Sequence, residues 1–367
     1  MESYKKIGLL LCVAILALQS CVTNNLDDCP EAVRYAIAFE YTLHTETSDR
    51  YRNGEYDRFY DDVDKLFIYV FDVATKTCVY ADTATLLAPF REDFTYSLPL
   101  ETGKYDIITW GWGRNPGESS LKISTAIVPT IIPGRTTIDE ARLQIEENVC
   151  KGKLERIFYS EKRNVDISAF VSRIDTLPLM NISNQIRVVI SDANTASVQD
   201  EIDIYIAAND GAYFFNSVSR STDSYDASGF FKSGNNAPDL DGSKGGVKYM
   251  PYKIYRTDSI LIADPIYLRE QYNGTGRDSM LIVEMSSLRL LQNNRNVELV
   301  IDWNGRTVGR YSLLDLLQAG ISSRVQYNLD RYHRWQVSLE VRRTYATVHV
   351  HVMDWHYIYT PSNAGGR

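Results

Sequence analysis

The chain has 367 residues, with 39 Lys and Arg against 47 Asp and Glu, for a formal charge of −8. This acidic balance argues against nucleic acid as a partner, because phosphates require concentrated Lys and Arg. It also argues against a polybasic membrane footprint, and the length exceeds the roughly 100–200 residues of one domain.

The first segment carries an address. Lys5 and Lys6 precede an uncharged apolar run from Ile7 to Leu18, and Leu18-Gln19-Ser20-Cys21 follows. An export-signal core spans about 7–15 apolar residues, whereas a membrane-spanning helix needs about 20, so residues 1–20 read as a signal peptide. The four residues resemble a lipobox, which implies cleavage between Ser20 and Cys21 and a diacylglyceryl thioether on Cys21. The alternative is an ordinary secretory signal in which Cys21 is incidental. Removing residues 1–20 takes away one Glu and two Lys, and the charge moves from −8 to −9. Membrane attachment would then come from the lipid, with residues 21–30 as a short tether.

A strand is predicted next. Val33, Tyr35, Ile37, Phe39, Tyr41 and Leu43 occupy every second position, so all six share one face. Leu66 to Phe71 is a continuous apolar run, which suits a strand covered on both faces. Phe94 to Leu100 and Tyr105 to Trp112 read as two more strands, separated by Thr102-Gly103. Thr137-x-x-Glu140 fits a capping box opening a short helix, although Leu143 and Ile145 fit a strand equally well. Strand patterning lapses over Glu161 to Leu177, which suggests a junction between halves. Beyond it, strands are expected at Ile186–Ile190, Ile202–Ile206, Leu281–Met285 and Val297–Trp303. Asn304-Gly305 signals a hairpin returning through Thr307–Tyr311, and Ser312 is placed to cap a helix over Leu313–Gln318. Alternation resumes at Trp335, Val337, Leu339 and Val341, and again at Val348, Val350 and Val352.

Many short strands with few helices predict an all-β sandwich class. The expected layout is an N-terminal sandwich over 31–172, a C-terminal sandwich over 173–360 and a tail over 361–367.

Chemistry-bearing patterns are sparse. Once Cys12 leaves with the signal and Cys21 is lipidated, Cys29, Cys78 and Cys150 remain, with no Cys-x-x-Cys spacing. One disulfide plus one buried thiol is compatible with this, in any pairing. His349 and His351 share one strand face, but His356 has the opposite parity and no third ligand is evident, so no metal site is expected. Asp239-x-Asp241-Gly242 lacks the remaining ligands of a calcium loop. No nucleophile elbow, His-Glu-x-x-His, P-loop or dinucleotide fingerprint occurs, so no enzymatic activity, small-molecule substrate or cofactor is predicted. Trp110 and Trp112 share a strand face; with 25 tyrosines in the chain they suggest either a sugar-stacking platform or core packing.

The order of these features resembles the Mfa2/FimB family of Bacteroidales fimbrial anchor lipoproteins. The resemblance rests on the lipobox cysteine, the acidic tether and Cys29-Pro30 leading into the alternating aromatic strand. It rests also on Val63 to Asp72, on Leu100-Glu101-Thr102-Gly103-Lys104-Tyr105, and on Val350-His351-Val352-Met353-Asp354-Trp355. It implies two tandem transthyretin-like β-sandwich domains and a surface-exposed, lipid-held role in the outer membrane. Fimbrial shaft or tip subunits are the implied partners, and Cys21 is the implied functional residue. The expected mode of assembly is β-strand addition at an open sheet edge. The segment Tyr345–Tyr359, with Val348, Val350, Val352 and Trp355, is the candidate donor or pairing strand; an ordinary last core strand would show the same alternation. The rival reading is a surface glycan-binding lipoprotein of a polysaccharide-capture system.

Overall fold

A computed structural model describes residues 35–41, 57–86, 94–113, 122–168, 173–190, 202–209, 211–216, 246–257, 280–290, 295–319, 333–342 and 345–351. The chain runs through β1 (Tyr35–Glu40), α1 (Phe59–Asp62), β2 (Val63–Asp72), β3 (Cys78–Thr85), β4 (Thr95–Leu98) and β5 (Gly103–Gly113). Short strands follow: β6 (Lys122–Ile123), β7 (Thr125–Val128), β8 (Arg142–Ile145), β9 (Val149–Cys150) and β10 (Lys153–Leu154). The first half closes with β11 (Ile157–Ile167), β12 (Arg173–Pro178) and β13 (Met180–Asn181). The second half opens with β14 (Ser183–Ile190), β15 (Ile202–Ala208), β16 (Ala212–Phe214), β17 (Val247–Tyr249) and β18 (Lys253–Thr257). It ends with β19 (Met280–Leu288), β20 (Glu298–Trp303), β21 (Arg306–Ser312), α2 (Leu313–Ala319), β22 (Arg334–Arg342) and β23 (Tyr345–His351). The architecture is the expected all-β sandwich class.

A five-stranded sheet, β13-β11-β5-β2-β3, forms the centre of the first half and is covered on both sides. Leu66, Ile68 and Val70 of β2 point to one face and pack with Tyr35, Ile37 and Phe39 of β1, in the three-stranded sheet β12-β1-β4. Tyr69 and Phe71 point the other way, into a cluster with Trp110, Leu143 and Ile145. This two-sided burial is why β2 reads as an unbroken apolar run rather than an alternating one. Burying each such side chain contributes about 1.5–3 kcal/mol. Gly111, between the tryptophans, faces the first of these layers. A Cβ there would sit 3.1 Å from Phe158 Cβ and 3.3 Å from a Leu66 methyl.

The second cluster continues across the halves, through Ile186, Leu299, Trp335 and Val337. In the second half β18-β19-β14-β22-β23 and β21-β20-β15-β17-β9 are five-stranded sheets. The small sheet β16-β8-β7 joins strands from both halves. The turn between β20 and β21 places Asn304 at φ 50° and Gly305 at φ 73°, the left-handed pair a two-residue hairpin requires.

Two sequence expectations are corrected. Glu161 to Leu177 is not a lapse: β11 continues to Ile167, and β12 pairs in parallel with β1 over Tyr35–Glu40. The pattern breaks because the ladder with β5 shifts register between Lys162 and Val165, with Asn164 at φ 54°. A bulge moves alternation out of phase by one residue. Its charges are internalised in pairs: Arg163 Nε donates to Glu161 at 2.6 Å and Nη1 to Asp106 at 3.2 Å. The Thr137–Glu140 segment is a turn rather than a helix. The capping contact still forms, with the Thr137 N–H donating to Glu140 Oε1 at 3.0 Å, and the chain then enters β8. Backbone pairing of first-half strands runs on to Asn181, since β13 bonds to β11. Ser312 does cap the second helix, accepting the Asp315 N–H at 3.3 Å.

Candidate functional site

Two surfaces could serve assembly: the edge at β23 and a cleft over the central sheet. β23 is the last strand of its sheet and runs antiparallel to β22, with Val350 opposite Val337 and Val348 opposite Leu339. His349 and His351 lie on this same strand, opposite Ser338 and Gln336. Among the described residues, no group of three His, Cys, Asp or Glu side chains is placed to hold a metal. Val352, Trp355 and His356 lie outside the described residues, as do Ser20, Cys21, Cys29, Asp239 and Asp241.

The tryptophans separate. Trp110 is fully buried, with its ring 4.7 Å from Tyr159 and 5.5 Å from Phe215. Trp112 is half-buried and meets Phe67 at 4.7 Å with 65° between the rings. Both project from the same face of β5, but the layer laid over that face covers only the first. They form no joint platform for a sugar.

Trp112 instead borders a cleft of about 860 Å³, within the span of about 300–1,000 Å³ usual for ligand pockets. Its floor comes from alternate residues of β2, namely Lys65, Phe67 and Tyr69, with Ala81 and Thr83 of β3. Its other wall is Thr125 and Ile127 of β7, followed by Thr130 and Ile131. The Lys65 ammonium lies 4.5 Å from the Phe67 ring centroid, and Lys122 pairs with Glu155 at 2.7 Å. Asp82 accepts hydrogen bonds from the Tyr96 hydroxyl, from the Thr83 N–H at 2.7 Å and from the Tyr80 hydroxyl at 3.2 Å. The Tyr96 bond above all, with the Thr83 amide, holds its carboxyl below the usual carboxylate range. Sequence reasoning missed this cleft because Phe67 reads as part of a buried run and β7 carries no distinctive pattern.

Cys78 and Cys150 are buried thiols that are not joined in a disulfide. Burial pushes the Cys78 thiol up to about 11, against the weaker opposing effect of backbone hydrogen bonds at Tyr80 and Val70.

The family model for fimbrillin-A associated anchor proteins, Mfa1 and Mfa2, matches residues 26–360. The chain belongs to this family. A Bacteroides thetaiotaomicron protein described as a candidate polysaccharide binder is similar in structure at 18% identity and TM-score 0.60, covering 88% of this chain and 98% of that one. A candidate adhesin from Bacteroides ovatus follows at 16% and 0.57, covering 88% and 97%. The fimbrial anchor protein Mfa2 of Porphyromonas gingivalis matches at 14% and 0.53, covering 86% and 95%. At these identities the likeness is one of fold. No curated protein matches the sequence. Membership in the anchor family supports a fimbrial subunit role and agrees with the resemblance read from the order of motifs.

Proposed function

We propose that the protein is a lipid-anchored fimbrial subunit of the outer membrane that holds or seeds a filament by β-strand addition. The observation that carries this reading is the family match over residues 26–360. The lipid would be carried by Cys21, in a sequence of lipobox type. One acyl chain binds a membrane only marginally, but the several chains of a bacterial lipoprotein cysteine anchor stably.

Shaft or tip subunits are the partners in this reading, and the segment from Tyr345 is the element offered to them. β23 supports this because it ends a sheet and has one ladder partner among the described strands. A strand at an edge presents unpaired N–H and C=O groups along one side, and backbone pairing to a neighbour supplies affinity while alternate side chains set register.

Replacing Cys21 with Ala should leave a folded protein that moves from the membrane pellet to the soluble fraction. Its retention with outer membranes would rule out the lipid as the tether. Deleting residues from Thr344 onward should detach filaments from cells, and filaments that stay anchored would refute the role of that segment.

A further inference from the structure

The end of the first half at which β1 begins carries a rim of exposed aliphatic side chains. We propose that this end rests on the lipid bilayer that holds Cys21, with Val73, Val79, Ile132 and Ile174 dipped into the headgroup boundary. This rests on the reading of Cys21 as lipidated and assigns the face that the anchored protein turns to its membrane.

The ladders show which segments share that end. Tyr35, the first residue of β1, lies opposite Arg173 at the start of β12 and Leu98 at the close of β4. Residues 99–102 then lead to Gly103, the start of β5, which lies opposite Ile167 at the close of β11. The Val73 N–H donates to Lys104 O at 3.0 Å, which ties the turn after β2 to this end. The Gly134 N–H donates to Cys78 O at 2.7 Å and brings turn 132–135 alongside. The chain leaves for the second half at the opposite end. There the Leu179 N–H donates to Glu40 O and the Ile182 N–H to Ile157 O, before β14 begins.

Among the described residues, the exposed large aliphatic side chains gather at the β1 end. Val73 is 36% exposed, Val79 42%, Ile132 45% and Ile174 62%, and all four lie in the segments just placed there. The other two, Val149 and Ile254, belong to β9 and β18, in sheets of the second half. Val79 is pushed out by a register shift. Tyr80 lies opposite Val70 and Cys78 opposite Phe71, so Val79 faces no residue across the ladder. Ile174 lies on the outer face of β12 because Asp175 and Leu177 take the inner one.

The arrangement selects a bilayer over a protein. The four side chains come from four separate segments, whereas a docking protein needs a contiguous, shape-matched patch. A fluid interface demands no such match and accepts apolar groups to a depth of about 5–10 Å. Charge of neither sign dominates: Lys104 and Arg135 are exposed beside Glu101 and Asp166, and Lys76 pairs with Asp139 at 2.8 Å. Fourteen residue steps separate Cys21 from Tyr35, a reach of at most about 50 Å. Contacts too weak to hold a membrane alone are therefore made at high effective concentration. The rim orients the protein and the lipid anchors it, so the second half is directed away from the membrane.

The test places a benzophenone amino acid at Val73, Ile132 or Ile174, or at Thr307, an exposed position on β21, in the full-length lipoprotein of intact cells. After irradiation, mass spectrometry should find positions 73, 132 and 174 joined to membrane lipid, and position 307 not. Val73→Asp combined with Ile174→Asp should lower the lipid adducts from position 132 by about tenfold, while the lipoprotein stays in the membrane pellet and its melting temperature stays near wild type. An unchanged yield from position 132 would overturn the role of the rim. Adducts to a fimbrial subunit, to a second copy of this chain or to nothing, with the protein still in the pellet, would overturn the membrane contact and leave the lipid anchor standing. Recovery of the unaltered protein in the soluble fraction would sink the anchor reading itself.

Discussion

At the scale of single residues, burial controls reactivity more than residue type does. The Cys78 thiol, pushed up to about 11 by burial, should resist iodoacetamide at neutral pH in the native protein and react promptly once the chain is unfolded. Fast alkylation without unfolding would contradict its placement in the core. Asp175 illustrates the opposite balance. Burial works against its charge, but Lys162 at 2.7 Å, the Tyr35 hydroxyl at 2.5 Å and Arg173 at 2.7 Å together hold its carboxyl below the usual range. A carboxyl lowered by folding stabilises the native state above its ordinary value and loses that contribution as pH falls through the lowered one. The stability gap between wild type and Asp175→Asn should therefore be constant from pH 7 to about 5 and shrink below about 4. Denaturant titrations across that range would show it, and a gap that widened in acid would refute the assignment. Little of this was legible in the sequence. Trp110 and Trp112 could be put on one face by counting, but only the arrival of Phe215 from a distant segment decides which of them is covered.

At the scale of elements, the best-read strands were those with one wet and one dry face. β1 and β20 announced themselves by alternation, and Asn304-Gly305 by its turn chemistry. Replacing Gly305, at φ 73° with nothing within 4 Å of a Cβ, should cost about 1 kcal/mol through backbone strain rather than collision. Chemical denaturation of Gly305→Ala tests this, and an unchanged midpoint would contradict the left-handed turn. β12 was misread because the charged Asp175 occupies one of its buried positions, and β11 for a different physical reason. Periodicity assumes an unbroken ladder, and the register shift near Asn164 moves charged residues onto a face that expects apolar ones. Arg163 and Glu161 are tolerated there because they neutralise each other, a long-range fact that a local pattern does not carry.

At the scale of the whole molecule, class and order of elements were readable, while the division of labour between halves was not. Cluster membership ignores the midpoint: Tyr69 and Trp110 share an apolar body with Ile186, Leu299 and Trp335. The protein should therefore unfold in one calorimetric transition, and a fragment covering residues 35–181 should aggregate because it lacks the partners of that body. Two separate endotherms, or a monomeric fragment, would contradict this coupling. The position of β1 has a mechanical outcome. It lies between β4 and β12, hydrogen-bonded on both sides, and its Tyr35 end is the one nearer Cys21 along the chain. If Cys21 carries the proposed lipid, drag from the cell envelope would enter β1 at that end, and a load along the strand axis would shear both flanking ladders, so that their bonds rupture together instead of peeling apart one at a time.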